Sequence, residues 1–241
     1  MTLPNIKTLY QVAEATWPPA AHMSAHGFTL RDGQGGGKRV SAATLNADLA
    51  LADIDAAAQA MRQMGQTPLF QLRDGEDALD AQLAQRGYQL IDPVNIYAAA
   101  ASDIATELPP RTIAIPAWEP LKIMEEIWMT GGIDRSRIDV MHRAVGPKTG
   151  FLSRFNDKPA GAAFAAMQDG VTMLHALEIL PAHRRNGLAR WALRRAAYWT
   201  LDNGGHTLCV ICTQENTAAN KLYESLGMAL SGQYHYRIKP T

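Results

Sequence analysis

The sequence is poor in the features that mark several large classes of protein. It has two cysteines among 241 residues, too few for a disulfide-stapled secreted scaffold. Lysine plus arginine number 23 and aspartate plus glutamate 23, so the formal net charge is zero with histidine neutral. No overall field of one sign would hold such a chain on a nucleic-acid backbone or an anionic membrane. No window approaches the ~18 unbroken apolar residues of a membrane span. The start, Met1 to Tyr10, has no basic stretch followed by an apolar run. These absences predict a soluble, cytoplasmic protein without nucleic-acid or membrane partners.

The chain is 47% apolar, enough for one large or two small domains with real cores. Cys209 and Cys212 spell C-x-x-C, but they sit in 206–213, which reads as a buried strand. Positions three apart on a strand point to opposite faces, so two structural thiols are expected, not a redox pair or metal ligands.

Residues 42–64, rich in Ala and Leu at helical spacing and stopped by Gly65, predict one or two helices. A short strand at 68–72, a helix at 77–86, then Gly87-Tyr88 and a further strand follow. The same order recurs late in the chain: helix 188–201, strand 207–213, helix 217–226, Gly227-Met228. With an offset of 140 residues, Gly87 falls on Gly227 and Leu83 on Tyr223. The repeat predicts two related domains in tandem, 1–108 and 109–241, joined near Pro109-Pro110. In the second, a strand at 112–115, helical material at 120–129 and a loop at Gly131-Gly132 precede strands at 150–154, 160–167 and 171–180. The turns between those strands contain Asn156-Asp157 and Asp169-Gly170. A mixed α/β sheet follows. The glycine-rich run from Asp32 to Lys38 lacks the first glycine and the Ser/Thr of a phosphate-binding P-loop, and reads as a flexible turn between strands.

The segment 173–190 carries the chemistry. A strand is stopped by Pro181, a turn follows with Arg184, Arg185, Asn186 and Gly187, and a helix begins at Leu188-Ala189. Unpaired amides and the positive end of a helix dipole suit a pyrophosphate, glycine lets ligand atoms approach the backbone, and the two arginines add charge.

Arg184-x-x-Gly187-x-Ala189 resembles the (Gln/Arg)-x-x-Gly-x-(Gly/Ala) signature of the GNAT superfamily of N-acetyltransferases. Leu177-Glu178-Ile179-Leu180-Pro181 looks like that family's fourth strand. Downstream, Asn216-x-x-Ala219-x-x-Leu222-Tyr223-x-x-x-Gly227-Met228 resembles its second signature, with Met228 in place of the usual aromatic residue. The resemblance runs from the region of Ile113 to the end. It implies tandem GNAT-like acyltransferase domains, the first degenerate because Leu83 replaces the tyrosine and no Arg-x-x-Gly-x-Ala precedes its helix. It also implies a mostly antiparallel central sheet, flanked by helices and splayed between the fourth and fifth strands.

By the same resemblance, acetyl-CoA is the co-substrate and no metal is used. The pantetheine arm would pair with Leu177, Glu178 and Ile179. The pyrophosphate would meet Arg184, Arg185, Asn186, Gly187, Leu188 and Ala189, with Asn216, Ala219 and Tyr223 closing the opposite side.

Amide formation needs a neutral amine, whereas a free alkyl ammonium has a pKa of about 10. Tyr223 matches the family's general acid, and His175 resembles a strand histidine of the arylalkylamine N-acetyltransferases, although Met173 stands where those enzymes have another histidine. Glu178 is the other candidate base. Strand alternation puts it on the face opposite His175 unless a bulge intervenes. A backbone N–H near Ile179 would serve the oxyanion.

The expected activity is direct acetyl transfer to a primary amine of a small molecule or peptide, by a monomer or homodimer. The alternative is a non-catalytic acyl-CoA-binding regulatory protein on the same fold. Trp118, Trp128, Tyr234, His235 and Tyr236 could line the acceptor pocket, but such residues are more often core, and they are not counted as site residues.

Overall fold

A computed structural model describes residues 2–239. In chain order the elements are α1 (Ile6–Thr16), β1 (Ala21–Ala25), β2 (Phe28–Asp32), α2 (Lys38–Ser41), β3 (Thr44–Leu45), α3 (Ile54–Gln63), β4 (Leu69–Arg73), α4 (Asp77–Gln85), β5 (Gln89–Ala100), α5 (Ala101–Ile104) and β6 (Ala114–Ala117). There follow α6 (Lys122–Thr130), α7 (Arg135–Arg143), β7 (Lys148–Phe155), β8 (Lys158–Gln168), β9 (Val171–Ile179), α8 (Leu188–Asp202), β10 (Thr207–Thr213), α9 (Thr217–Ser225) and β11 (Ala229–Ile238). Among the described residues no helix is long and apolar enough to cross a membrane.

The chain divides into two compact units, one of residues 1–18, 96–211 and 217–231, the other of 19–95, 212–216 and 232–241. The chain passes from one to the other after α1, within β5, within β10, just before α9 and within β11. Position 108 lies in the loop between α5 and β6, inside the first unit, and that unit also takes in α1 from the start of the chain.

In the first unit the strand order is β10-β9-β8-β7-β6. The pairs β6–β7, β7–β8 and β8–β9 are antiparallel and β9–β10 is parallel. The two hairpins close on Asn156-Asp157 and Asp169-Gly170, all four at positive φ, the geometry that matches the twist of the flanking strands. Strand β8 is largely alanine, with Ala160, Ala162, Ala163, Ala165 and Ala166 at or below 1% exposure. Small side chains on both faces let helices approach closely. Helix α8 packs on one face, where Thr200 Oγ1 donates to Thr172 Oγ1 at 2.8 Å, while α1 and α6 also pack on β8 and β9.

Helix α1 forms for legible reasons. Asn5 caps it by accepting from the Thr8 N–H at 3.0 Å. Leu9, Val12, Ala13 and Thr16 then fall at helical spacing on one buried stripe.

In the second unit β1, β2 and β3 form a small antiparallel sheet, and β4 pairs antiparallel with β11. Phe28, Leu30, Ile54, Met61, Phe70, Leu72, Leu79 and Leu83 form one core there. Two expectations are corrected in this unit. The stretch 42–64 is helical only from Ile54, because Thr44–Leu45 pairs with β2 and a three-residue 3-10 turn follows at Leu49–Leu51; pairing overrides the helical leaning of Ala and Leu. The turn at 33–37 leads from β2 into the one-turn helix α2, not into a strand.

Candidate active site

Strand β9 carries the candidate site, and its irregularity organises it. Ala176 has φ +50 although it is not glycine. The register with β8 shifts there: Phe164 pairs with His175 but Ala162 pairs with Glu178, so β9 carries one extra residue. The indole N–H of the fully buried Trp128 donates to the Ala176 carbonyl at 2.8 Å, a bond that helps hold this backbone in a conformation costing about 1–2 kcal/mol. The bulge cancels the alternation expected from sequence. His175 and Glu178, three residues apart, lie on the same face, the one opposite Thr172 and α8.

The bulge also marks where the parallel pairing ends. Strand β9 is in register with β10 only from Val171↔Thr207 to Leu174↔Val210, although it runs on to Ile179. The Leu180 N–H donates to the Ala160 carbonyl at 2.9 Å, so by antiparallel alternation the polar groups of Ile179 point away from β8. The Ile179 carbonyl accepts from Arg184 Nε at 2.9 Å.

After β9 the chain makes a 3-10 turn at Pro181–His183 and a loop that Asn186 ties down, its Nδ2 donating to the carbonyls of His183 (3.1 Å) and Arg184 (3.2 Å). Arg185 and Gly187 both have positive φ, and Gly187 stands at the N-cap of α8. A Cβ on Gly187 would meet no atom within 4 Å. Helix α8 has no side-chain cap and no acidic residue in its first turn. Leu188 anchors the turn in the core at 2% exposure. The residues present fit a pyrophosphate by charge, by open space and by amide supply. Ala189 keeps that turn small.

Arg184 reaches back to the strand, its Nη2 lying 3.2 Å from Glu178 Oε1. The Glu178 carboxylate rests on Gly131 at the end of α6, where a Cβ would come within 2.6 Å of its Cδ and Oε2. Gly131 is thus required for the place Glu178 takes.

His175 is 4% exposed. Its Nε2 lies 2.9 Å from Thr16 Oγ1, and its ring packs 5.0 Å from Trp17 and 6.2 Å from Phe164. Trp118 lies 5.5 Å from Phe164. Thr16 and Trp17 are singled out by no motif, Gly131 reads only as part of a loop, and Trp128 reads only as an aromatic of the core or the acceptor pocket. The capped, amphipathic pattern of 5–16 is the signal that could have found the first two.

Tyr223 lies on α9, 6% exposed, its ring 5.6 Å from Tyr97. The Tyr97 hydroxyl is 3.0 Å from Asn220 Oδ1 and 3.1 Å from Glu224 Oε1, which fixes the turn of α9 that bears Tyr223. Ala219 is half-buried on the same helix, and Asn216 is exposed just before it, in the stretch assigned to the second unit. Burial pushes the Cys209 thiol up to about 12 and Cys212 up to about 11, so neither supplies a thiolate at neutral pH. Tyr234 and Tyr236 are buried in the second unit, as expected of core residues, and Trp128 in the first; Trp118 and His235 are half-buried.

Residues 116–228 match the acetyltransferase (GNAT) family. This segment is a GNAT acetyltransferase domain, and the protein is an acyltransferase of N-acetyltransferase type. The chain is similar to the "Uncharacterized N-acetyltransferase YobR" of Bacillus subtilis (strain 168), 24% identical over 244 residues, covering 98% of this chain and 99% of that one. Its fold is similar to a GCN5-related N-acetyltransferase from Kribbella flavida, with TM-score 0.74, 17% identity and coverage of 99% and 97% of the two chains. It is also similar to a tandem GNAT protein from the clavulanic acid biosynthesis pathway, with TM-score 0.61, 13% identity and coverage of 97% and 88%.

Proposed function

We propose that the protein transfers the acetyl group of acetyl-CoA directly to a primary amine of a small molecule or peptide. The observation that carries this reading is the junction of a strand end freed from its parallel neighbour, β9 beyond Leu174, with an uncapped helix N-terminus at Gly187. The first offers backbone groups to the pantetheine amides at Leu177, Glu178 and Ile179. The second offers amides to the pyrophosphate across Asn186, Gly187, Leu188 and Ala189, with Arg184 and Arg185 supplying charge. Ala219 and Tyr223 close the other side.

In this reading His175 or Glu178 takes a proton from the ammonium, and the free amine attacks the thioester carbonyl. The outward-pointing N–H of Ile179 receives the oxyanion. The C–S bond breaks, the Tyr223 hydroxyl protonates the departing thiolate, and the nitrogen of the new amide gives its surplus proton to the tyrosinate. The bulge at Ala176 supports a shared role for the two candidate bases because it gives them one face. Residues 1–108 are read as a degenerate GNAT-like half and 109–241 as the transferase half, in a cytoplasmic monomer or homodimer.

The test is a panel of amines with acetyl-CoA, read by thiol release and by the mass of the acetylated product. The reading expects turnover with at least one amine. Tight coenzyme binding with no turnover on any amine would instead favour a non-catalytic acyl-CoA-binding protein.

A further inference from the structure

Helix α6 closes on two adjacent glycines, and each is glycine for a different reason. Gly132 has φ +78, and past it the Ile133 N–H returns to the Trp128 carbonyl at 2.8 Å, the left-handed reversal that ends many helices and favours glycine. Gly131 has φ −83 and ψ 6, a conformation open to any L residue, so the backbone sets no demand for glycine there. The demand comes from β9. The three atoms nearest a Cβ at Gly131 all belong to Glu178: Cδ and Oε2 at 2.6 Å and Cγ at 2.7 Å. Any larger side chain at 131 would make that carboxylate swing away. Its Oε1 meets Arg184 Nη2 at 3.2 Å, and the same guanidinium is tied through Nε to the Ile179 carbonyl at 2.9 Å. One turn earlier on α6, Trp128 holds the Ala176 carbonyl. The end of α6 thus meets β9 on either side of Leu177, by a hydrogen bond at Ala176 and by close packing at Glu178. The Glu178 side chain keeps 18% exposure, so it is held without being sealed from an acceptor.

We infer that Gly131 is a positioning residue for acetyl transfer: the space it leaves at the end of α6 seats the Glu178 carboxylate where it takes the proton of the ammonium. The inference rests on the reading of Glu178 as a base. It also separates fold from function at this position, because a methyl group at 131 keeps the helix and displaces the base.

The test joins a spectroscopic and a kinetic readout on Gly131→Ala, whose clash falls on the flexible end of a side chain and not on main chain. The variant is expected to fold with the thermal midpoint of the intact protein. The carboxyl-carbon resonance of Glu178, assigned in glutamate-labelled protein by its loss in Glu178→Gln, is expected to move. With an accepted amine, kcat falls about tenfold while KM for acetyl-CoA stays within about twofold. Glu178→Gln alone lowers kcat about 100-fold, and adding Gly131→Ala to it lowers kcat no further, because the group it acts through is already gone. A Gly131→Ala protein with the intact resonance, with the intact kcat or without a fold overturns the inference and leaves the base reading standing, as does a double variant whose losses multiply. Full kcat in Glu178→Gln sinks the base reading itself, and the catalytic role of Gly131 with it, while the resonance still reports whether Gly131 seats the carboxylate.

Discussion

Two helices of nine residues, α4 and α9, begin 140 positions apart and are held by side chains at matching positions through different chemistry. In α4, Asp80 accepts from Arg237 on β11, Nε to Oδ1 at 2.7 Å and Nη2 to Oδ2 at 2.8 Å, and meets His235 Nε2 at 2.7 Å. In α9 the corresponding residue is Asn220, and its partner on β5 is Tyr97. Helix α4 is therefore held by β11 through an ion pair, and α9 by β5 through a tyrosine hydroxyl. The position facing the core differs as well: Leu83 is fully buried in α4, whereas α9 has Tyr223 at 6% exposure.

The helices preceding them diverge further. Asp53 caps α3 by accepting from the Ala56 N–H at 2.9 Å, and Asp55 sits in its first turn. Helix α8 has Gly187 there, no cap, and two arginines just before it. A helix N-terminus binds an anion when the sequence has not already supplied one. The two helix starts differ by a few side chains: α3 already carries its own carboxylates, whereas α8 begins at a glycine behind two arginines.

Variants that erase these differences should rank by effect. Gly187→Glu places a carboxylate where α3 already has one, and acetyl-CoA affinity should fall by about 100-fold or more in calorimetry, with the fold retained by circular dichroism. Tyr223→Phe removes only the hydroxyl that α4 lacks; kcat should fall by about 10- to 100-fold with KM for acetyl-CoA within about twofold.

Asp80→Asn removes the ion pair that α9 does without, at a cost of about 2 kcal/mol in denaturant unfolding. The bonds from Arg237 above all, and then the one from His235, hold the Asp80 carboxyl down at about 2 against an ordinary 3.8. Because the folded value lies below the unfolded one, the stabilisation is fully present above about pH 4 and drains away as pH falls toward 2. Asp53→Ala, the smallest change, should cost about 1 kcal/mol in thermal unfolding and leave acetyl-CoA binding as it was.

Much of this contrast is legible from sequence. The strand at 207–213 and the helix starting at 217 lie where periodicity places them, because turn residues punctuate them and Gly227, like Gly87, stops the helix before it. Site geometry is less legible. The bulge that brings His175 and Glu178 to one face rests on an alanine at positive φ, a residue type that advertises no such conformation, held by an indole 48 positions away. The partner of His175 is equally hidden, since a threonine closing an N-terminal helix has no motif linking it to a strand. Gly131 beside Gly132 reads as a loop, and only the carboxylate lying against it gives it a further role.

The most direct test of the account is calorimetric titration of the intact protein with acetyl-CoA, alongside Gly187→Glu. The account predicts micromolar binding at one site per chain, lost in the variant. A well-folded intact protein that does not bind acetyl-CoA, or a Gly187→Glu protein that binds it equally well, would contradict the assignment of the uncapped end of α8 as the coenzyme site.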